Sequence, residues 1–151
     1  MATQYVMQRD TSPWRIQVWV AFGVSAFACL YGAFGLPGGE LDRAFLGIGF
    51  LFSVFASFAV AKTVRDNRDG QVDTAGWVIA VWVALACALS LTAWGLFRMT
   101  LDPWLKRYMV ISWLFLVSTT FTLAKTLRDG HEADLLDGRG PSKRLPPSEA
   151  P

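Results

Sequence analysis

Residues 77–97 read WVIAVWVALACALSLTAWGLF, without a single charged side chain. A helix that crosses the hydrocarbon core of a bilayer needs about 20 mostly apolar residues, because each residue adds 1.5 Å along the helix axis. This stretch therefore predicts a transmembrane helix, which we place at residues 76–98.

This stretch opens the second of two long apolar blocks in the chain, residues 16–61 and 77–124. The first block is interrupted by Pro-Gly-Gly-Glu at 37–40 and the second by a polar segment with a proline at 98–103. Proline, glycine and charge mark turns between apolar segments. The interruptions predict three more spanning helices, at residues 15–36, 43–61 and 104–125. The predicted fold is an all-α membrane protein of four transmembrane helices.

The charged residues avoid the two apolar blocks. Only seven of the 26 charged residues lie in them. This partition is typical of a multi-pass membrane protein, and we expect the lipid bilayer to be its surroundings. The formal net charge of +2 is too small to favour nucleic acid as a partner.

Lysine and arginine predict the orientation, because cytoplasmic segments of membrane proteins are enriched in them. Four spans place the leader (1–13), the linker (67–76) and the tail (130–151) on one side. Together with the helix ends that adjoin them, these segments carry ten of the 14 lysines and arginines: Arg9, Arg15, Lys62, Arg65, Arg68, Lys125, Arg128, Arg139, Lys143 and Arg144. We therefore expect both termini to be cytoplasmic. The tail is rich in proline, glycine and charge, a composition that predicts disorder.

The chain contains an internal duplication. A shift of 63 residues superposes 14–66 on 77–129 without a gap, so each copy is a tandem two-helix hairpin. Because each copy has two spans, both have the same membrane orientation. Two such copies are expected to be related by a pseudo-two-fold axis along the membrane normal.

Small side chains recur at helical spacing in the first helix of each copy. Close approach through such residues drives helix packing in lipid, so we expect helices 1 and 3 to meet along these rows. The alternative is that the rows form a contact between copies of the chain in a homo-oligomer. The candidate packing residues are Ala21, Ser25, Cys29, Ala28 and Gly32 in helix 1, and Ala80, Ala84, Ala88 and Thr92 in helix 3.

No acidic, basic or histidine side chain lies well inside a predicted span, although such groups are the usual mark of ion and proton pathways. Helix 4 carries hydroxyls at Ser112, Ser118–Thr120 and Thr122. Packing against carbonyls explains them, and a solute path is the alternative. We find no catalytic constellation, metal-binding pattern or cofactor motif, and expect a protein that is not an enzyme and has no cofactor.

The sharpest motif is Lys-Thr-x-Arg-Asp, which occurs at Lys62–Asp66 and again at Lys125–Asp129. Each copy follows the second apolar helix of its repeat. One interpretation is an interfacial anchor, in which long cationic side chains reach the headgroups. The other is a paired docking surface for a partner or for anionic lipid. The candidate residues are Lys62, Thr63, Arg65 and Asp66, with Lys125, Thr126, Arg128 and Asp129.

These motifs, together with Tyr31-Gly32…Gly35-Leu36 and Trp94-Gly95-Leu96, resemble the YiaA/YiaB family, which is built from the YiaAB two-helix domain. The resemblance covers residues 14–130. It implies a four-span protein of the bacterial inner membrane and brings no biochemical activity with it.

The leading functional hypothesis is a small non-enzymatic membrane protein that acts through interaction, as an accessory subunit or a homo-oligomeric scaffold. A partner could then be another membrane protein or a second copy of the chain. The first alternative is an oligomeric channel or small-solute carrier built around helix 4. A weaker alternative is a sensor of anionic lipid or of membrane stress.

Overall fold

Four helices make up the fold in this computed structural model, which describes residues 11–35, 37, 39–68 and 73–136. They are α1 (Ser12–Phe34), α2 (Glu40–Arg68), α3 (Ala75–Arg98) and α4 (Pro103–Leu136). All four are long and apolar enough to cross a membrane. The predicted all-α fold with four candidate spans is confirmed for the described residues.

Local sequence explains where the helices begin. Thr74 caps α3, because its side chain accepts a hydrogen bond from the backbone N–H of Trp77 at 3.4 Å. Asp102 does the same for α4, accepting from the backbone N–H of Trp104 at 2.9 Å. Pro103 opens α4, where its missing N–H costs no helical hydrogen bond.

Two helices continue well past their predicted ends. Helix α2 runs beyond residue 61 to Arg68, and α4 runs beyond residue 125 to Leu136. Hydropathy detects apolar length and not the helix itself. Good helix formers such as Lys62, Arg65 and Arg128 allow the helices to continue outside the apolar region, although Asn67 and Gly130 are poor ones. Residues 130–136 of the predicted disordered tail are therefore helical. The leader at 1–10 and the tail at 137–151 lie outside the described residues.

Helices from different repeats form the main contacts. Helix α1 packs on α4, α3 packs on α2, and α2 and α4 meet at the centre of the bundle. Within the described ranges, the backbones of α1 and α3 do not approach each other. The predicted contact between helices 1 and 3 is therefore wrong. Instead, Ser25 and Gly32 of α1 lie against α4, and Thr92 of α3 lies against α2.

The core consists of two apolar clusters. One joins α1, α2, α3 and α4 in the half of the bundle nearer the end of α1, and the other joins α2 and α3 in the opposite half. Large apolar side chains such as Phe27, Phe55 and Ile111 are about two-thirds exposed on the outer surface. Lipid tails solvate such a surface as well as a protein core does, so this exposure fits a bilayer.

Buried hydroxyls and one indole form hydrogen bonds across and along the helices. Ser25 Oγ and Thr119 Oγ1 are 2.8 Å apart and join α1 to α4. Trp113 Nε1 on α4 donates to Ser53 Oγ on α2 at 3.1 Å. Thr120 donates back to the carbonyl of Leu116 at 2.7 Å. In the part of the chain that the structure describes, every buried side-chain nitrogen and oxygen has a partner.

Candidate functional site

The two Lys-Thr-x-Arg-Asp copies lie within α2 and α4, at one end of the bundle. Helices α2 and α4 run parallel, since Ser53 meets Trp113 at mid-depth and Phe58 and Phe121 line one cleft further along. The tertiary structure therefore brings the two motifs side by side. The linear sequence predicts that both motifs lie at the same membrane face, but it does not show that they line a common cleft.

Each motif presents its side chains in two directions. Thr63 and Thr126 are buried, with 2% and 3% of their surface exposed, whereas Lys62 and Lys125 are exposed. This division follows from helical geometry, because adjacent residues project about 100° apart. The threonines therefore pack inside the bundle, whereas the lysines lie at its surface.

A cleft of about 450 Å³ lies between the two motifs, and we name it the paired-motif cleft. Most of its lining consists of residues that are equivalent under the 63-residue repeat. The pairs are Phe58 and Phe121, Ala61 and Ala124, Lys62 and Lys125, and Arg65 and Arg128, joined by Leu127 and His131.

Carboxylates beside the cleft orient its arginines. Asp66 Oδ1 accepts from Arg65 Nε at 2.9 Å, and its Oδ2 lies 3.4 Å from Lys62 Nζ. In the second copy, Asp129 Oδ1 accepts from Arg128 Nε at 2.8 Å. The arginines and aspartates are half-buried at the protein surface, and ion pairs at a surface contribute little stability, about 0–1 kcal/mol. Their effect is to hold each guanidinium in one direction, and both arginines line the cleft while neither aspartate does.

A tryptophan outside the motifs attaches the cleft to the rest of the bundle. Trp77 Nε1, in the first turns of α3, donates to Thr63 Oγ1 at 3.2 Å. This bond ties the polar end of α2 to the beginning of α3. Sequence reasoning did not predict this bond, because no local pattern pairs residues 14 positions apart across a linker.

Six lining residues were also missing from the predicted site: Phe58, Ala61, Phe121, Ala124, Leu127 and His131. Phe58 and Phe121 lie one helical turn before the motif lysines and form the apolar part of the cleft. Their recurrence at a spacing of 63 residues was the signal that could have found them. His131 lines the cleft because α4 continues past residue 125, so an accurate helix end was needed to place it.

The predicted packing residues lie mostly on buried faces. On α1, Ser25, Cys29 and Gly32 are buried, while Ala21 and Ala28 are half-buried. A Cβ built on Gly32 would overlap Met109 Sδ on α4.

On α3 the row becomes more buried along the helix. Ala80 is exposed, Ala84 is half-buried, and Ala88 and Thr92 are buried. Thr92 lies against α2, where a Cβ built on Gly49 would come within 2.6 Å of Thr92 Oγ1.

A smaller cleft of about 320 Å³ lies at the opposite end of the bundle, between the beginning of α2 and the end of α3. Asp42 and Arg98 both line it, so its charges are of mixed sign. The Arg98 guanidinium stacks over the Trp94 ring, 5.1 Å from its centroid. Among these two clefts, only the paired-motif cleft is lined by cations of both repeats.

Comparison with protein families agrees with the duplicated architecture. The model of the yiaA/B two helix domain matches the chain twice, over residues 14–66 and 77–129. The chain belongs to this family. Each YiaA/YiaB domain contributes two helices and one Lys-Thr-x-Arg-Asp copy, and the paired-motif cleft forms where the two domains meet. The curated proteins and the solved structures that were compared with the chain contain no match.

Proposed function

We propose that this chain is a small integral protein of the bacterial inner membrane that acts by binding and not by catalysis, as an accessory subunit or scaffold. The observation that carries this proposal is the convergence of both family motifs on one cleft. If the two motifs served only as membrane anchors, they would not need to line a common cleft. Four cationic side chains around an apolar base form a surface suited to recognition.

The proposed orientation has both termini and the paired-motif cleft in the cytoplasm. It is supported by the excess of lysine and arginine at that end. The test uses Lys62→Cys in a chain whose Cys29 and Cys87 are changed to alanine. A membrane-impermeant maleimide should label inverted vesicles and not spheroplasts. Trp104→Cys, at the opposite end, should label in the reverse pattern, and the same pattern for both variants would contradict the orientation.

The proposal includes a pseudo-two-fold axis between the repeats. Its support is the equivalence of the packing contacts: Gly32 lies against Tyr108, and its counterpart Gly95 lies against Phe45, the counterpart of Tyr108. The α1–α4 and α3–α2 pairs are exchanged by the same operation. An axis in this position passes between α2 and α4 and through the paired-motif cleft.

The binding proposal can be tested in cells with a photoreactive phenylalanine derivative at Lys62. Light should produce an adduct that is lost when Arg65→Ala and Arg128→Ala are added. The matched control carries the same group at Phe55, a lipid-facing residue of α2 that is 71% exposed. Adducts at residue 62 that are identical to those at residue 55, and unchanged by the arginine substitutions, would overturn the proposal.

The hydroxyls of α4 are the only feature of the described residues that suggests a channel. Their hydrogen bonds within the bundle give that function little support. Ser118 and Thr122 donate to the carbonyls of Leu114 and Ser118, and Thr119 binds Ser25 on α1. Together with the bond from Thr120 to the Leu116 carbonyl, these bonds account for four of the five hydroxyls as packing groups, which favours the binding proposal.

A further inference from the structure

We propose that the paired-motif cleft binds one phospholipid that carries two phosphodiester groups, a lipid of the cardiolipin type. This inference rests on the proposed function and names the ligand of the same cleft. It is argued below from the charge of the cleft, from the order of its polar and apolar residues, and from its duplication.

Charge favours a dianion. The two motif copies together carry four cations and two carboxylates, a formal charge of +2. The aspartates lie beside the cleft and hold the arginines, while Lys62, Arg65, Lys125 and Arg128 line it. Phosphate oxygens are the acceptors that arginine and lysine donors match best at a membrane surface. Two phosphodiesters would neutralise the formal charge of the two motifs.

The order of residues along the helices favours a lipid over a free anion. Phe58 and Phe121 lie one helical turn, about 5 Å, deeper in the bundle than the motif lysines. Phe58, Ala61, Phe121 and Ala124 therefore form an apolar base beneath a cationic rim. An amphiphile with a phosphate above acyl chains satisfies both layers, whereas inorganic phosphate or a soluble acidic peptide would satisfy only the rim.

Duplication favours two phosphates in one molecule. Each repeat supplies one lysine, one arginine, one phenylalanine and one alanine to the cleft, so eight of its ten lining residues form two equivalent halves. A lipid with two phosphatidyl halves joined by a short glycerol bridge has the same duplication. Once one phosphate is bound, the second reaches its own Lys-Arg pair at a high effective concentration. This gain distinguishes the lipid from two separate molecules with one phosphate each.

The experiment measures lipid binding to the full chain, purified in non-ionic detergent, by native mass spectrometry. The probes are cardiolipin, phosphatidylglycerol at twice the molar concentration to equalise phosphate, phosphatidylcholine, and inorganic phosphate. We expect cardiolipin to bind at least about 10-fold more tightly than phosphatidylglycerol at equal phosphate. Inorganic phosphate should not displace it.

The variant Lys62→Gln/Lys125→Gln should weaken cardiolipin binding by about 10- to 30-fold, since it removes two surface cations. Both lysines are exposed, so its helix content should match the wild type by circular dichroism. The control, Arg98→Gln/Arg107→Gln, removes two cations at the opposite end and should bind cardiolipin as the wild type does.

Equal binding of phosphatidylglycerol, displacement by inorganic phosphate, or unchanged binding by the lysine variant would each overturn this inference. A photoadduct with a protein at residue 62, in a chain that shows no preference for cardiolipin, would overturn the lipid inference and leave the binding function standing. If the adducts at residue 62 are the same as those at residue 55 and do not change with the arginine substitutions, the proposed binding function itself is wrong.

Discussion

Substitution of Gly49 by alanine tests the packing of α2 on α3 most directly. A Cβ at residue 49 would lie 2.6 Å from Thr92 Oγ1 and 3.3 Å from Thr92 Cγ2. Thr92 is fully buried, and its hydroxyl donates to the Ala88 carbonyl at 2.7 Å. The obstacle is therefore a stiff β-branched side chain held by a hydrogen bond, and not the mobile end of a long one.

The expected cost follows from three contributions. Overpacking of a close helix contact costs about 1–3 kcal/mol. Rotating Thr92 away instead would break its bond to the carbonyl, at about 0.5–1.5 kcal/mol. Replacing a helical glycine by alanine returns about 0.5–1 kcal/mol. Gly47→Ala is the matched control, because a Cβ there meets nothing within 4 Å and receives the same gain.

We expect Gly49→Ala to be about 1–3 kcal/mol less stable than Gly47→Ala, because the helix-propensity gain cancels between them. Reversible unfolding in mixed detergent micelles, followed by far-UV circular dichroism, measures the difference. Thr92→Ala removes both obstructing atoms and should rescue Gly49→Ala. Equal stability of the two alanine variants, or failure of the rescue, would refute the close packing of Gly49 against Thr92.

Two further substitutions test the internal hydrogen bonds. Ser25→Ala removes the bond to Thr119 and should lower the free energy of unfolding by about 0.6 kcal/mol, and by no more than about 1.7. A double-mutant cycle with Thr119→Val checks it, and a coupling energy of zero would contradict the bond. Trp113→Phe removes the donor to Ser53 and should cost about 1–2 kcal/mol by the same unfolding assay. Unchanged stability would show that the indole bond contributes nothing.

Much of the candidate site could be predicted from the sequence. The eight motif residues were found from their repetition, and the structure places both copies at one end of the bundle. The apolar part of the cleft was not predicted, because Phe58 and Phe121 look like ordinary lipid-facing residues in a span. His131 was not predicted, because hydropathy cannot show that α4 continues to Leu136.

The sequence by itself determined the four candidate spans, the duplication and the two motif copies. The candidate spans follow from the length of apolar runs and from local charge, because a bilayer of constant thickness sets the apolar length that a spanning helix needs. Only the tertiary structure decided that α1 packs on α4 and α3 on α2, and that the motifs share one cleft. Small residues such as Ala88 and Gly32 permit close approach without specifying a partner. In lipid, every face of a helix is apolar, so no amphipathic pattern in the sequence points to the neighbouring helix.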